Sequence, residues 1–179
     1  GYFAYAGFLK HQKHYQIKLM LLEKWADESK DLAEFVNKLQ KHYLDIREKR
    51  FFAEKTPSNV YCFDDFSKLY PDSSIIHIVR DGRDVVCSLM KRGFNAFQAA
   101  SRWLYDTASG IANRGNPRYI ELKYEDLASN PKAILSKICT HCGVSFSEEM
   151  LNANKNRSDY PIVKSWLNSF SDPVSKNSI

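Results

Sequence analysis

Residues 80–92 of this 179-residue chain gather side chains that could grip a doubly charged oxyanion. The run Arg80-Asp81-Gly82-Arg83-Asp84 is followed by Ser88 and then Arg92. Asp84, Ser88 and Arg92 recur at four-residue spacing, which on a helix puts them on one face. Two guanidinium groups and a hydroxyl converging on one spot suit a phosphate dianion. Arginine makes bidentate, charge-assisted bonds to such a group. Taken alone, alternating Arg and Asp would read as surface ion pairs, Arg80 and Arg83 against Asp81 and Asp84. The flanking pattern moves the balance towards a binding site.

That pattern is a strand, a turn and a helix. Ile75-Ile76-His77-Ile78-Val79 is too short for a typical helix and rich in β-branched residues, so it reads as a buried strand. Arg80 falls at its carboxyl end, where open α/β sheets bind their ligands. Asp81 is a candidate N-cap, with the carboxylate of Asp84 three residues on. Val85, Val86, Leu89 and Met90 supply an apolar stripe, and the helix is expected to reach about Arg92 with Gly93 as its stop.

Other segments frame this unit. A helix is expected over Tyr15 to about Ala26, and a second opens at Asp31 and Glu34 with Leu32, Phe35, Val36, Leu39, Tyr43 and Ile46 at helical spacing. Phe51–Lys55 reads as a short strand ended by Thr56-Pro57, which sets Glu54 and Lys55 at a second strand end. A helix over Asn59 to about Leu69, with Val60, Phe63, Phe66 and Leu69 inward, leads to the central strand and suits a right-handed parallel crossover. Further on come a helix over about Ala96–Asn113 and a strand over Arg118–Tyr124. Asn130-Pro131 then opens a helix that stops at Gly143, and Ser147-Glu148-Glu149 opens a short one.

The remaining candidates read as structure. Tyr2, Phe3, Tyr5 and Phe8 read as a packed loop or broken helix, and His11 and His14 as surface residues. Cys139 and Cys142 form a C-x-x-C without the second pair a zinc ribbon needs. Cys139 shares its periodicity with Ile134, Leu135 and Ile138, which is a core pattern. Cys62 and Cys87 read as small buried residues.

The strand, R-D-G-R-D and Ser-bearing helix together resemble the 3′-phosphate-binding segment of the sulfotransferases, enzymes that use 3′-phosphoadenosine 5′-phosphosulfate (PAPS). The resemblance implies that Arg80 and Ser88 hold the nucleotide's 3′-phosphate. Arg92 matches a further basic position of the tyrosylprotein branch. E-K-T-P at 54–57 resembles a segment of carbohydrate and bacterial members, and implies that Lys55 contacts the sulfuryl group and its bridging oxygen. Y-E-D-L at 124–127 matches a later landmark and would turn Tyr124 towards the nucleotide. Trp103 resembles a family tryptophan, with packing as its expected role. Ser165 and Lys176 are the best gapless matches to nucleotide-contacting residues of the C-terminal loop.

The resemblance covers roughly residues 51–179. It implies a P-loop-NTPase-like α/β fold, a parallel sheet flanked by helices. The Gly-rich 5′-phosphosulfate loop and its first strand–loop–helix do not occur in this sequence, nor does G-x-x-x-x-G-K-[ST]. The expectation is one sulfotransferase-like domain over 1–179, incomplete at its N-terminus and loop-rich over 152–179. PAPS would be the donor, PAP the product, and no metal is required. The acceptor would bear a hydroxyl, whether protein tyrosine, carbohydrate, lipid or small alcohol.

Composition sets the outer bounds. A net charge of +5 with both signs dispersed suits an anionic ligand and gives no case for nucleic acid. No apolar run in this stretch spans a bilayer and no signal-peptide pattern appears, which leaves the compartment open with the cytoplasm preferred. Two other readings remain open. A nucleotide kinase of related fold would need a Walker loop and a Mg²⁺ site. A non-catalytic module would use the same arginines to bind a 3′-phosphorylated nucleotide or another phosphate- or sulfate-bearing partner.

Overall fold

The computed structural model describes residues 16–152. The expectations for residues 2–14, Ser165 and Lys176 lie outside them. The chain divides into two compact units, residues 1–55 and 56–179.

In the first unit, α1 (Leu19–Glu28) and α2 (Leu32–Ile46) are both present. Helix α1 starts later than the sequence suggests, because Gln16 takes a positive φ of 49° before it. Helix α2 begins as its cap signature requires. The Asp31 side chain accepts from the Glu34 backbone N–H at 2.8 Å, and Glu34 accepts from the Lys30 backbone N–H at 3.0 Å. Trp25 meets His42 edge-on at 5.5 Å, and Lys38 reaches Glu28 of α1 as well as Glu34 of its own helix. The strand expected at 51–55 is not formed. These residues are exposed and irregular, since a strand is stable only when paired and no described strand runs beside them.

The second unit is α/β, a parallel sheet flanked by helices as expected. A 3₁₀ turn (Pro57–Cys62) with Pro at its start runs into α3 (Phe63–Leu69). Then come β1 (Ile75–Val79), α4 (Gly82–Met90), α5 (Ala96–Ile111), β2 (Tyr119–Lys123), α6 (Tyr124–Ser129), α7 (Pro131–His141) and a closing 3₁₀ turn (Glu148–Leu151). Strands β1 and β2 pair in parallel, Ile75 opposite Tyr119 through Val79 opposite Lys123. Residues 80 and 124 therefore leave the two carboxyl ends side by side.

Alternation along β1 decides what covers it. His77 faces α5, where Gly110 lets the helix close in. A Cβ at Gly110 would lie 2.1 Å from His77 Cε1. Ile76 and Ile78 point to the other face and stay 38% and 47% exposed. Helix α7 packs against β2, and the buried core holds Val60, Ile75, Ala99, Leu122, Ala128 and Cys139. Several inward expectations fail: the strand is buried at Ile75 but open at Ile76 and Ile78, and Leu32 and Met90 of the two helical stripes are exposed. Leu69, Cys62 and Cys87 are exposed as well, because the short helices carrying them have only one covered side.

Candidate anion site at the carboxyl end of the sheet

The site is built on the turn between β1 and α4. Asp81 caps α4 as expected, accepting from the Arg83 backbone N–H at 2.8 Å. Its carboxylate also takes bonds from Arg83 Nε and Nη2 at 3.0 and 2.7 Å. The Arg83 side chain, and then its backbone N–H, hold the Asp81 carboxyl down at about 2. For these two residues the surface ion pair is the right description, and Arg83 is 91% exposed.

Arg80 is held differently. Its Nη2 and Nε donate to one oxygen, Asp84 Oδ2, at 3.1 and 3.4 Å. Its guanidinium lies over the Tyr124 ring, 4.8 Å from the centroid, as the strand register allows. The Arg80 carbonyl accepts from Trp103 Nε1 at 3.0 Å, and the Trp103 ring packs so close to Gly82 that a Cβ there would sit 3.0 Å from it. From the β2 side, Glu125 Oε1 accepts the Asp81 backbone N–H at 2.8 Å. The turn is thus pinned by α5 and α6 on successive residues.

Ser88 lies one turn beyond Asp84 on the same face of α4, half-buried. Arg92 is exposed at the end of the helix. Gly93 takes φ 98°, its N–H bonds to Met90 O at 3.0 Å, and the Phe94 N–H bonds to Leu89 O at 3.3 Å. That is a Schellman closure, so Arg92 occupies the terminal half-helical position and Gly93 is the stop the sequence announced. Lys55 is exposed, the last residue of the first unit. Among the sequence-derived candidates, Arg80 and Tyr124 come into direct contact. The Arg80–Asp84 ion pair is one that the alternating charges already suggest, whereas the hold of Trp103 and Glu125 on the turn carrying Arg80 is not.

Comparison with known proteins gives this geometry a lineage. The sequence profile of the Sulfotransferase family matches residues 4–148. The chain belongs to the sulfotransferase family. The match begins well upstream of residue 51, so helices α1 and α2 also fall within the span of the family. Two solved structures share the fold. A sulfotransferase domain from the Synechococcus PCC 7002 olefin synthase aligns with a TM-score of 0.61 and 24% identity, over 91% of this chain and 59% of that one. A sulfotransferase domain from the curacin biosynthetic pathway aligns with a TM-score of 0.55 and 22% identity, over 66% of this chain and 46% of that one. The chain therefore spans about half the length of these domains. No curated protein matches the sequence.

Proposed function

We propose that this sulfotransferase-family chain takes part in transfer of a sulfuryl group from PAPS to a hydroxyl acceptor, with Arg80 as the reader of the donor's 3′-phosphate. The observation that carries the reading is Arg80 itself. Its guanidinium stands at the carboxyl end of β1, steadied by Tyr124 and Asp84, with one edge committed to Asp84 and the other without a described acceptor. That donor chemistry fits a phosphate dianion. Ser88 adds a hydroxyl donor from the same helical face, and Arg92 and Tyr124 complete the nucleotide-facing set. Ser165 and Lys176 are assigned to it on sequence alone.

When bound, PAPS supplies the sulfuryl group and a bisphosphate leaving group. The residues of this chain would do three things. Arg80 and Ser88 fix the nucleotide through its 3′-phosphate. Lys55 is assigned on sequence resemblance alone, its ammonium to stabilise negative charge on the leaving phosphate oxygen in the transition state. Tyr124 supports the Arg80 guanidinium from below. The acceptor is proposed only as a hydroxyl-bearing molecule, and its proton must pass to a base that none of these residues supplies.

Titration calorimetry with PAP and with AMP tests the reading. Two charge-assisted contacts to the extra phosphate are worth about 1.5–3 kcal/mol each. PAP should therefore bind at least tenfold tighter than AMP. Equal affinities would remove the 3′-phosphate assignment and with it the case for PAPS.

A further inference from the structure

We propose that Asp84 is a positioning residue of this site, which sets the Arg80 guanidinium so that its free edge meets the 3′-phosphate. The inference rests on the reading of Arg80 just given and goes beyond it by assigning the neighbouring carboxylate a role.

The geometry distinguishes positioning from competition. A carboxylate that stood in for the ligand would take a fork of the arginine with two oxygens against two nitrogens. Asp84 does otherwise. One oxygen, Oδ2, accepts from both Nε and Nη2, along the side of the guanidinium nearest its own chain. The terminal edge carrying Nη1 is left without a described carboxylate. Three constraints then act on one side chain. Tyr124 fixes the plane at 4.8 Å from its ring centroid, Asp84 fixes the rotation within that plane, and the Trp103 bond to the Arg80 carbonyl fixes the backbone. An arginine held this way gives up little rotamer freedom when it binds, and that preorganisation is worth affinity. The pair is half-open, with side-chain exposures of 32% for Arg80 and 25% for Asp84, so a ligand can reach the guanidinium without unfolding anything.

The test compares Asp84→Ala and Asp84→Asn with the unaltered chain, using PAP and AMP as probes and the Arg80 Nε–H resonance as a ligand-free readout. Asp84→Ala should weaken PAP binding about tenfold, leave AMP binding within twofold, and broaden the Arg80 Nε–H signal before any nucleotide is added. Asp84→Asn keeps a side-chain oxygen for the Nε–H and should recover most of the PAP affinity. Tighter PAP binding by either variant would overturn the proposal and make Asp84 a competitor. Unchanged affinity with a sharp Arg80 signal would overturn it as well. Equal weakening of PAP and AMP would show a general loss of structure and also count against it. These outcomes leave the function intact so long as the unaltered chain prefers PAP over AMP; indifference there would overturn both.

Discussion

Arg80 is constrained by its neighbours at both backbone and side chain, and each contact makes a claim that substitution can check. Trp103→Phe keeps an aromatic ring against Gly82 but removes the N–H that satisfies the Arg80 carbonyl. We expect about 1 kcal/mol of lost stability in urea denaturation, the usual worth of one such bond, together with weaker PAP binding. A variant that loses neither would show that the bond contributes nothing to the turn. Lys55→Ala, made in an active enzyme that contains this chain, should lower kcat on the order of a hundredfold and leave PAP affinity nearly unchanged. A fully active variant would exclude Lys55 from transition-state stabilisation. At this scale the sequence was a partial guide. Residue types and spacing single out Arg80 and Ser88 as candidates for charge-assisted binding, and the structure sets both on the turn and helix expected for them. The hold of Trp103 and Glu125 on the turn could not, because both act across the fold on backbone atoms, and backbone atoms leave no mark in residue identity.

Helix α5 determines how tightly the sheet is covered. Gly110 would gain about 1 kcal/mol of helix propensity on becoming alanine, yet its Cβ would fall 2.1–2.6 Å from three atoms of the His77 ring. That ring is boxed in by Phe63 at 6.2 Å and by its 2.6 Å bond to the Tyr119 hydroxyl, so it cannot retreat. The clash should win, and Gly110→Ala should destabilise by about 1–3 kcal/mol. A stabilised variant would show that α5 is free to shift. The start of α5 offers a second test. Asn95 accepts from the Gln98 N–H at 2.8 Å while Gln98 accepts from the Asn95 N–H at 3.1 Å. Asn95→Ala should cost about 1 kcal/mol in the same denaturation experiment. Both features had sequence signals that went unused: a glycine inside a helical pattern, and Asn followed three residues later by Gln. The strand–turn–helix at the site was legible almost to the residue because pattern, cap and stop agreed there. The run at 51–55 has strand composition, but strand formation depends on a partner, which composition cannot supply.

At the scale of the whole molecule, one part-buried histidine has a consequence for pH. His77 is partly buried, and desolvation lowers its pKa below the ordinary value, against the pull of Glu121 and with the help of Arg114. The folded state therefore binds fewer protons than the unfolded chain as pH drops below about 6.5. Stability is full above that value and falls as the solution is acidified towards the folded-state pKa. The urea midpoint should decrease between pH 7 and 5.5, and His77→Gln should flatten that decrease. An equally steep decrease in the variant would place the titrating group elsewhere. The net charge of +5 favours an anionic ligand at this scale without specifying one. The family match over residues 4–148 adds what the local motifs alone did not suggest, that the two N-terminal helices share the ancestry of the site.

The central claim is that Arg80 reads a 3′-phosphate, and a binding cycle tests it most directly. Four dissociation constants are needed, for PAP and AMP with the unaltered chain and with Arg80→Ala. The account predicts that the substitution weakens PAP binding by tenfold or more and AMP binding by less than threefold, a coupling of at least about 0.7 kcal/mol between the side chain and the phosphate. Equal losses for the two nucleotides would contradict it, and the anion site would then have to lie elsewhere in the fold.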